Sequence, residues 1–302
     1  MVAQMTLIQT PGADRQGIIV CFYDYDTQWG ADRSRSPGGP KQWGHRDFEN
    51  TDALLELHAK YRVPACFAVV GAAALPGSRP YHDPQQIRAI HAAGHEIASH
   101  SFRHEWLPGL DRAALHETLR SSKQALEDCI GAAVTSFVPP FNQPFDYPAA
   151  LAFSMSERRE AGSERTDLSG LCRALAEEGY RFCRTSYKPW PVRLVEILMR
   201  RRLNRVSKVK RIEGITCLTM NAAVGFGDSA LRIVRRCSER RTLGVAHAHP
   251  HSVRSGGPQD LRYLEVFLAE VARLRLSGSL EVRLPADLSR AEDNRLERRT
   301  TA

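Results

Sequence analysis

Short apolar runs alternating with longer segments of helical period constrain this chain more than any other feature. Ile18–Tyr23, Ala65–Val70, His95–Ser99, Val134–Val138, Tyr180–Cys183, Ile215–Met220 and Leu243–Ala248 read as strands. Between and after them, Phe48–Tyr61, Pro84–Ala93, Asp111–Cys129, Leu168–Glu178, Val192–Val209, Asp228–Arg240 and Asp260–Leu276 read as helices, the last leading to a short run at Leu280–Val282. Asp111 suits an N-cap and Gly131 a stop; Asp228 is expected to cap its helix in the same way. Such alternation predicts an α/β fold, a mostly parallel sheet wrapped by helices, open or closed into a barrel. Gly30–Gly44 and Pro139–Asp167 read as long loops. With no internal repeat, one domain is expected over 17–289, between an N-terminal leader (1–16) and a disordered charged tail (290–302).

Composition narrows the setting. No apolar run reaches the ~18 residues of a membrane-spanning helix, and the first residues lack the basic and apolar stretches of a secretory signal, so a soluble cytoplasmic protein is expected. Seven cysteines, odd in number and never spaced C-x-x-C, fit reduced thiols. Residues 188–213 carry nine Lys/Arg against two Glu, which accounts for +7 of the net +8. Val195, Leu198, Met199 and Val206 beside Arg200, Arg201, Arg205 and Lys208 suit peripheral membrane contact through 191–211, or a grip on a phosphate-bearing substrate. A solvated helix packed on the fold gives the same pattern. The remainder is near neutral and carries no recognised nucleic-acid motif, so no nucleic-acid partner is expected.

In parallel α/β folds ligands meet the C-terminal ends of strands. There this chain places Asp24 and Asp26, then His100 and His104, then Pro139-Pro140-Phe141-Asn142, and finally His247, His249 and His251. H-S-x-x-H paired with a carboxylate gives a His-His-Asp ligand set that leaves positions open for water and substrate. Asp24 and Asp26 share a face if the strand continues, so one could bind metal while the other acts as base. His95-Glu96 is not a zincin helix, because Ser99 stands where the second histidine belongs. Gly225-Phe-Gly227 lacks the rest of a nucleotide loop, and no G-x-S-x-G or P-C-x-x-C is present. Trp29, Trp43, Trp106 and Trp190 fall in loops near the rim, where sugar stacking and ordinary packing are equally served.

Phe22-Tyr-Asp24-Tyr-Asp26, Gly94-His-Glu-Ile-Ala-Ser-His100-Ser-Phe-Arg-His104, Phe137-Val-Pro-Pro-Phe141 and Val245-Ala-His-Ala-His249-Pro resemble the ordered motifs of the polysaccharide deacetylase (NodB-like, carbohydrate esterase family 4-like) family, over roughly Gly17 to Ala286. The resemblance implies a distorted (β/α) barrel of about seven parallel strands. It implies that Asp26, His100 and His104 bind one divalent metal ion, zinc foremost with cobalt, nickel or manganese as substitutes. Asp24 would be the general base, and His249 or His247, on the same strand face, the general acid. The backbone N–H of Phe141 could donate to the oxyanion, a contact worth roughly 3 kcal/mol, with Trp29 near the substrate. Val138 stands where the family carries an arginine that pairs with the base; Arg184, at the end of the fifth strand, is expected to replace it. The implied activity is metal-dependent removal of an N-acyl group, N-acetyl foremost, from an amino sugar or sugar-lipid in glycan or glycolipid biosynthesis. Alternatives are an allantoinase-like small-amide hydrolase, a deformylase of a lipid-linked sugar, and a catalytically inactive carbohydrate-binding barrel.

Overall fold

β1 (Gly17–Tyr25) is apolar on both faces up to Asp24 and becomes the spine of a ten-stranded sheet. The computed structural model describes residues 16–34, 42–142, 167–185, 207–220 and 223–300, together with Leu198. Along one edge β1 pairs with β9 (Leu243–Ala248). Its other edge is shared, by β10 (Leu280–Val282) beside Gly17–Ile19 and by β2 (Cys66–Val69) beside Phe22–Tyr25. The sheet continues through β3 (Glu96–Ser99), β4 (Ser136–Phe137), β5 (Phe182–Thr185), β7 (Ile215–Thr219) and β6 (Lys208–Ile212); β8 (Ala223–Val224) lies outside β9. All pairings are parallel except β6 with β7, a hairpin turned at Glu213-Gly214, both with positive φ as a tight primed turn requires. The Ser207 amide, just before β6, donates to Leu243 O at 3.2 Å, so the curled sheet approaches its own far side. The result is a half-barrel of mostly parallel strands.

Eight helices occupy the described residues: α1 (Thr27–Ser34), α2 (Trp43–Tyr61), α3 (Pro84–Ala92), α4 (Arg112–Ile130), α5 (Leu168–Glu177), α6 (Asp228–Arg240), α7 (Leu261–Leu276) and α8 (Pro285–Thr300). Asp83, Asp111, Asp167 and Asp260 cap α3, α4, α5 and α7 with their carboxylates, each such cap being worth about 1 kcal/mol. No helix among these residues is long and apolar enough to cross a membrane.

Several expectations need correction. The loop expected at Gly30–Gly44 is consumed at both ends by α1 and α2, so Trp29 and Trp43 stand on helices. Gly227, not Asp228, is the N-cap of α6, and Asp228 is its first residue. The fourth strand is only Ser136–Phe137, because Pro139 and Pro140 have no N–H for a ladder. The fifth runs two residues further than expected and carries Arg184 within it. Lys208 and Val209, assigned to a basic helix, open β6; nearly all of 191–206, like Trp190, most of the leader 1–16 and most of the Pro139–Asp167 loop, lies outside the described residues. The tail expected to be disordered continues α8 through Thr300.

Strand alternation sorts the core into two faces. Ile19, Cys21, Tyr23 and Tyr25 point to the convex side, where helices cover them with Leu54, Ile87, Leu119, Leu175, Val234 and Phe267. Val20 and Phe22 point inward and meet Ala98, Val138, Phe182, Leu218 and Val245, with Leu288 of α8 closing from below. Complete burial of such side chains stabilises by ~1.5–3 kcal/mol each. Above Phe22, Ala98, Phe182 and Val245 on their own strands, two residues on, stand Asp24, His100, Arg184 and His247. The inner face therefore changes from an apolar layer to a fully buried polar one at the C-terminal rim.

Candidate active site

Asp24 is buried at the end of β1 and must have its charge answered locally. Arg184 does so from across the half-barrel: its two terminal nitrogens donate to Asp24 Oδ1 and Oδ2 at 2.7 and 2.6 Å, and its guanidinium lies 5.0 Å from the Phe22 ring centroid. His247 Nε2 is 3.0 Å from Oδ2. Burial raises the Asp24 pKa, but Arg184 and then His247 reverse that and hold the carboxyl well below the usual carboxylate range. Arg184 is thus a partner of Asp24 beneath the rim, not a substrate contact. Val138 takes no charge role; its carbonyl does something else.

That carbonyl accepts a hydrogen bond from His100 Nδ1 at 2.7 Å. The bond fixes the proton on Nδ1 and leaves the neutral ring a bare lone pair at Nε2. Nε2 faces Asp26 Oδ1 at 3.3 Å, and His104 Nε2 faces the same oxygen at 3.6 Å. An Asp26 oxygen and two imidazole nitrogens thus converge in a buried place, an arrangement that suits a proton or a metal cation between them. Burial outweighs Asp26 and pushes the His104 pKa down to about 4, whereas Asp26 and Asp24 overcome burial and raise that of His100. Buried side-chain atoms without a hydrogen-bond partner among the described residues belong to Asp26, Trp29, His104, Trp106 and His251, all on segments of this rim. The nitrogen–oxygen donor set and the unpaired Asp26 Oδ1 fit a divalent ion of the zinc type.

Asp24, His247 and His249 form a second group of potential ligands. Its carboxylate is already held by a guanidinium on both oxygens, and a second cation there would face that charge at close range. An acid–base role suits the group better. His249 is the accessible member: its side chain is 24% exposed against 2% for His247, and its Nε2 lies 3.9 Å from Asp24 Oδ2. Gln259 Oε1 accepts its backbone N–H at 2.7 Å. Burial, then the neighbouring His247, lower its pKa, so the ring rests neutral.

The local backbone is under strain where it carries these groups. Thr27, Ser101, His104 and Phe141 all have positive φ, between 55° and 62°, in the left-handed region that costs a non-glycine roughly 1–2 kcal/mol. Ser101 is held there by its carbonyl, which accepts from the Gly71 amide at 2.9 Å and Ser122 Oγ at 3.0 Å. Phe141 packs its ring 4.5 Å from that of His104 and 5.6 Å from that of Trp106. Trp29 packs on Tyr81 and His82 and under Arg103. Gly30 is required by close approach: a Cβ there would lie 2.5 Å from Asp26 Cβ and 3.3 Å from His104 Cδ2.

Sequence reasoning missed Asp47. This wholly buried residue of α2 accepts from the Thr27 amide at 2.7 Å through one oxygen and from the His251 amide at 2.7 Å through the other. Its only sequence signal was an aspartate on a helix face otherwise bound for the core.

A curled parallel half-barrel with an Asp-His-His cluster beside an Asp–Arg–His cluster defines the class. Residues 41–153 match the family model described as polysaccharide deacetylase. Over 92 residues it is 33% identical to a chitooligosaccharide deacetylase of Sinorhizobium fredii (strain NBRC 101917 / NGR234), a match covering 30% of this chain and 40% of that protein. The chain thus spans less than half the length of that curated relative. A solved Mycobacterium smegmatis structure described under polysaccharide deacetylase superposes with a TM-score of 0.65 at 16% identity, covering 96% of both chains. A PuuE allantoinase gives 0.55 at 13% identity, covering 90% of this chain and 89% of that one. At such identities these likenesses show the fold alone.

Proposed function

We propose that the chain is a metal-dependent hydrolase that removes an N-acyl group, N-acetyl foremost, from an amino sugar. One observation carries this: the lone pairs of Asp26, His100 and His104 converge beside an Asp24 carboxylate held by Arg184 and within 3.9 Å of His249. A divalent cation at Asp26, His100 and His104 supplies Lewis acidity, acidifying water towards a pKa of ~7 and polarising the amide carbonyl. Asp24 takes the proton of the attacking water, with Arg184 and His247 fixing its orientation. The charge partners that hold Asp24 ionised also weaken it as a base, so this step depends on an acidified water. His249, neutral at rest, acts as an acid only after taking up a proton, which Asp24 can pass on from the attacking water across the 3.9 Å to Nε2. It then delivers that proton to the amide nitrogen, a poor leaving group until protonated. The exposure of His249 favours it over His247, which is locked on Asp24. The overall balance is amide plus water to carboxylic acid plus amine. Trp29 and Phe141, both partly exposed at the rim, are the aromatic side chains expected to meet the sugar.

The inactive-barrel reading rested on the missing arginine, and Arg184 provides that charge. The relative's chitooligosaccharide substrate supports a β-linked N-acetylglucosamine oligomer as first substrate; the sugar-lipid reading rests only on the basic segment 191–211. The test is acetate release from chitooligosaccharides by zinc-loaded full-length protein. Release abolished by Asp24→Asn and by His249→Ala is expected. Zinc-loaded protein that releases no acyl group from any N-acylated sugar would sink the proposal.

A further inference from the structure

One face of α2 holds the loops from both sides of the site, and no acid–base or ligand role accounts for it. Trp43, Asp47 and Asn50 are spaced four and three residues apart, so they project from the same side of the helix. The Trp43 ring stacks on His251 at 4.2 Å and 9°. Asn50 Nδ2 donates to Pro250 O at 2.8 Å. Asp47 Oδ1 accepts from the His251 amide at 2.7 Å and lies 3.2 Å from the same residue's Nδ1. These three contacts fix the segment that directly follows His249. Asp47 Oδ2 reaches the other way, to the amide of Thr27, which follows Asp26 and is held at φ +55°.

We propose that Asp47 is a positioning residue that sets the distance between the Asp26 loop and the His249 loop, by accepting one backbone N–H from each on its two oxygens. The proposal rests on the roles given above to Asp26 and His249. The chemistry explains why the residue is an aspartate. Two amide donors converge on two different oxygens of one side chain, and an asparagine could answer only one while turning an N–H₂ towards the other. Serine or threonine could not span both loops. Trp43 and Asn50 differ in reach: their contacts described above, to His251 and Pro250, are on the His249 side. The helix face thus predicts a split in which Asp47 governs both loops and Asn50 governs one.

The experiment compares Asp47→Asn and Asn50→Ala with wild type in the full chain. Three quantities are read: Zn²⁺ affinity by competition with a chromophoric chelator, melting of the metal-free protein, and kcat and KM for chitooligosaccharide. Asp47→Asn is expected to weaken Zn²⁺ binding by about tenfold, as loss of an outer-sphere support does, and to lower kcat by about 100-fold. Asn50→Ala is expected to lower kcat by about tenfold with KM and Zn²⁺ affinity unchanged, since a misplaced acid alone slows the chemistry. Zn²⁺ binding by folded Asp47→Asn as tight as wild type would overturn the proposal. So would Asn50→Ala that weakens Zn²⁺ as much as Asp47→Asn, because that marks general loosening. If Asp47→Asn does not fold, Asp47→Glu, which keeps two acceptor oxygens but changes their reach, is read in its place, and Zn²⁺ affinity and kcat as in wild type would overturn the proposal. A wild type that binds Zn²⁺ but releases no acetate removes the functional reading and leaves the Zn²⁺ arm to judge this one.

Discussion

A carboxylate buried beneath a reactive rim needs a cation close by, and the bidentate contact from Arg184 to Asp24 supplies it. Removing one partner leaves the other charge buried and alone, which costs about 3–5 kcal/mol. Arg184→Met is therefore expected to destabilise the protein by that amount near neutral pH, measured by urea unfolding. Asp24 in the wild type has a depressed pKa, so its contribution is present above the ordinary carboxylate pKa and lost as pH falls through the depressed one. In the variant Asp24 protonates far more easily, and the gap between the two proteins should narrow as the pH is lowered. A constant gap would show that the arginine acts through packing on Phe22. Gly30 makes a second test at this scale. A methyl group at 2.5 Å from Asp26 Cβ must displace it. Gly30→Ala is expected to cost about 1–3 kcal/mol by overpacking and to weaken zinc binding by about tenfold or more, read by chelator competition.

The elements that hold the site differ in how legible they were. β1 and β9 alternate over enough residues for their faces to be read from the period alone, which put Asp24 and His247 on the inner face; both strands end one residue before Asp26 and His249. Arg184 was placed by charge logic, since a buried acid pair without the motif arginine demanded a cation at the same rim. Asp47 was illegible because its partners are backbone amides 20 and 204 residues away, and no local pattern encodes them. The polar helix α8 read as a tail because its composition lacks an apolar stripe; Glu96 anchors it by accepting from the Ala286 amide at 3.0 Å and from Ser136 Oγ at 2.5 Å. Burial is the main cause that raises the Glu96 pKa to about 7. A folded pKa above the unfolded one means stability is fully present below about 4.5 and falls as pH rises through about 7. Glu96→Gln is expected to flatten that decline in thermal melting between pH 5 and 8, and an unchanged decline would assign it elsewhere. A simpler element-level change is Arg62→Gly. This exposed residue ends α2 at φ +53°, where glycine carries no Cβ penalty, so a gain of about 1 kcal/mol is expected in urea unfolding.

For the molecule as a whole, alternation of strands and helices identified a mostly parallel α/β sheet, and the barrel of about seven strands implied by the resemblance is, among the described residues, a curled half-barrel of ten. The extra strands are short or late: β8 has two residues, β10 three, and β6 hides in a basic segment with a helical look. What the curl achieves is to bring ends of β1, β3, β5 and β9, distant in sequence, into one buried polar layer over one apolar layer. Asp26 Oδ1 there lies 3.3 Å from His100 Nε2 and 3.6 Å from His104 Nε2, the set to which the proposed function assigns a divalent cation. A ligand that binds only the folded chain stabilises it by RT ln(1 + [L]/Kd), about 2.7 kcal/mol at a hundredfold excess over Kd. For a chain of 302 residues that corresponds to a rise of about 4 °C in melting temperature. Zinc added to chelator-stripped protein should produce such a rise, and His100→Ala should abolish it. The effect must also fade in acid: Asp24 and Asp26 raise the pKa of His100, so protons compete for its Nε2 at higher pH than for an ordinary histidine. Melting curves with and without zinc should therefore converge as pH drops below neutrality. If zinc shifts the curve equally at every pH, or shifts His100→Ala as far as wild type, the ion is held elsewhere on the chain and the rim cluster is not its site.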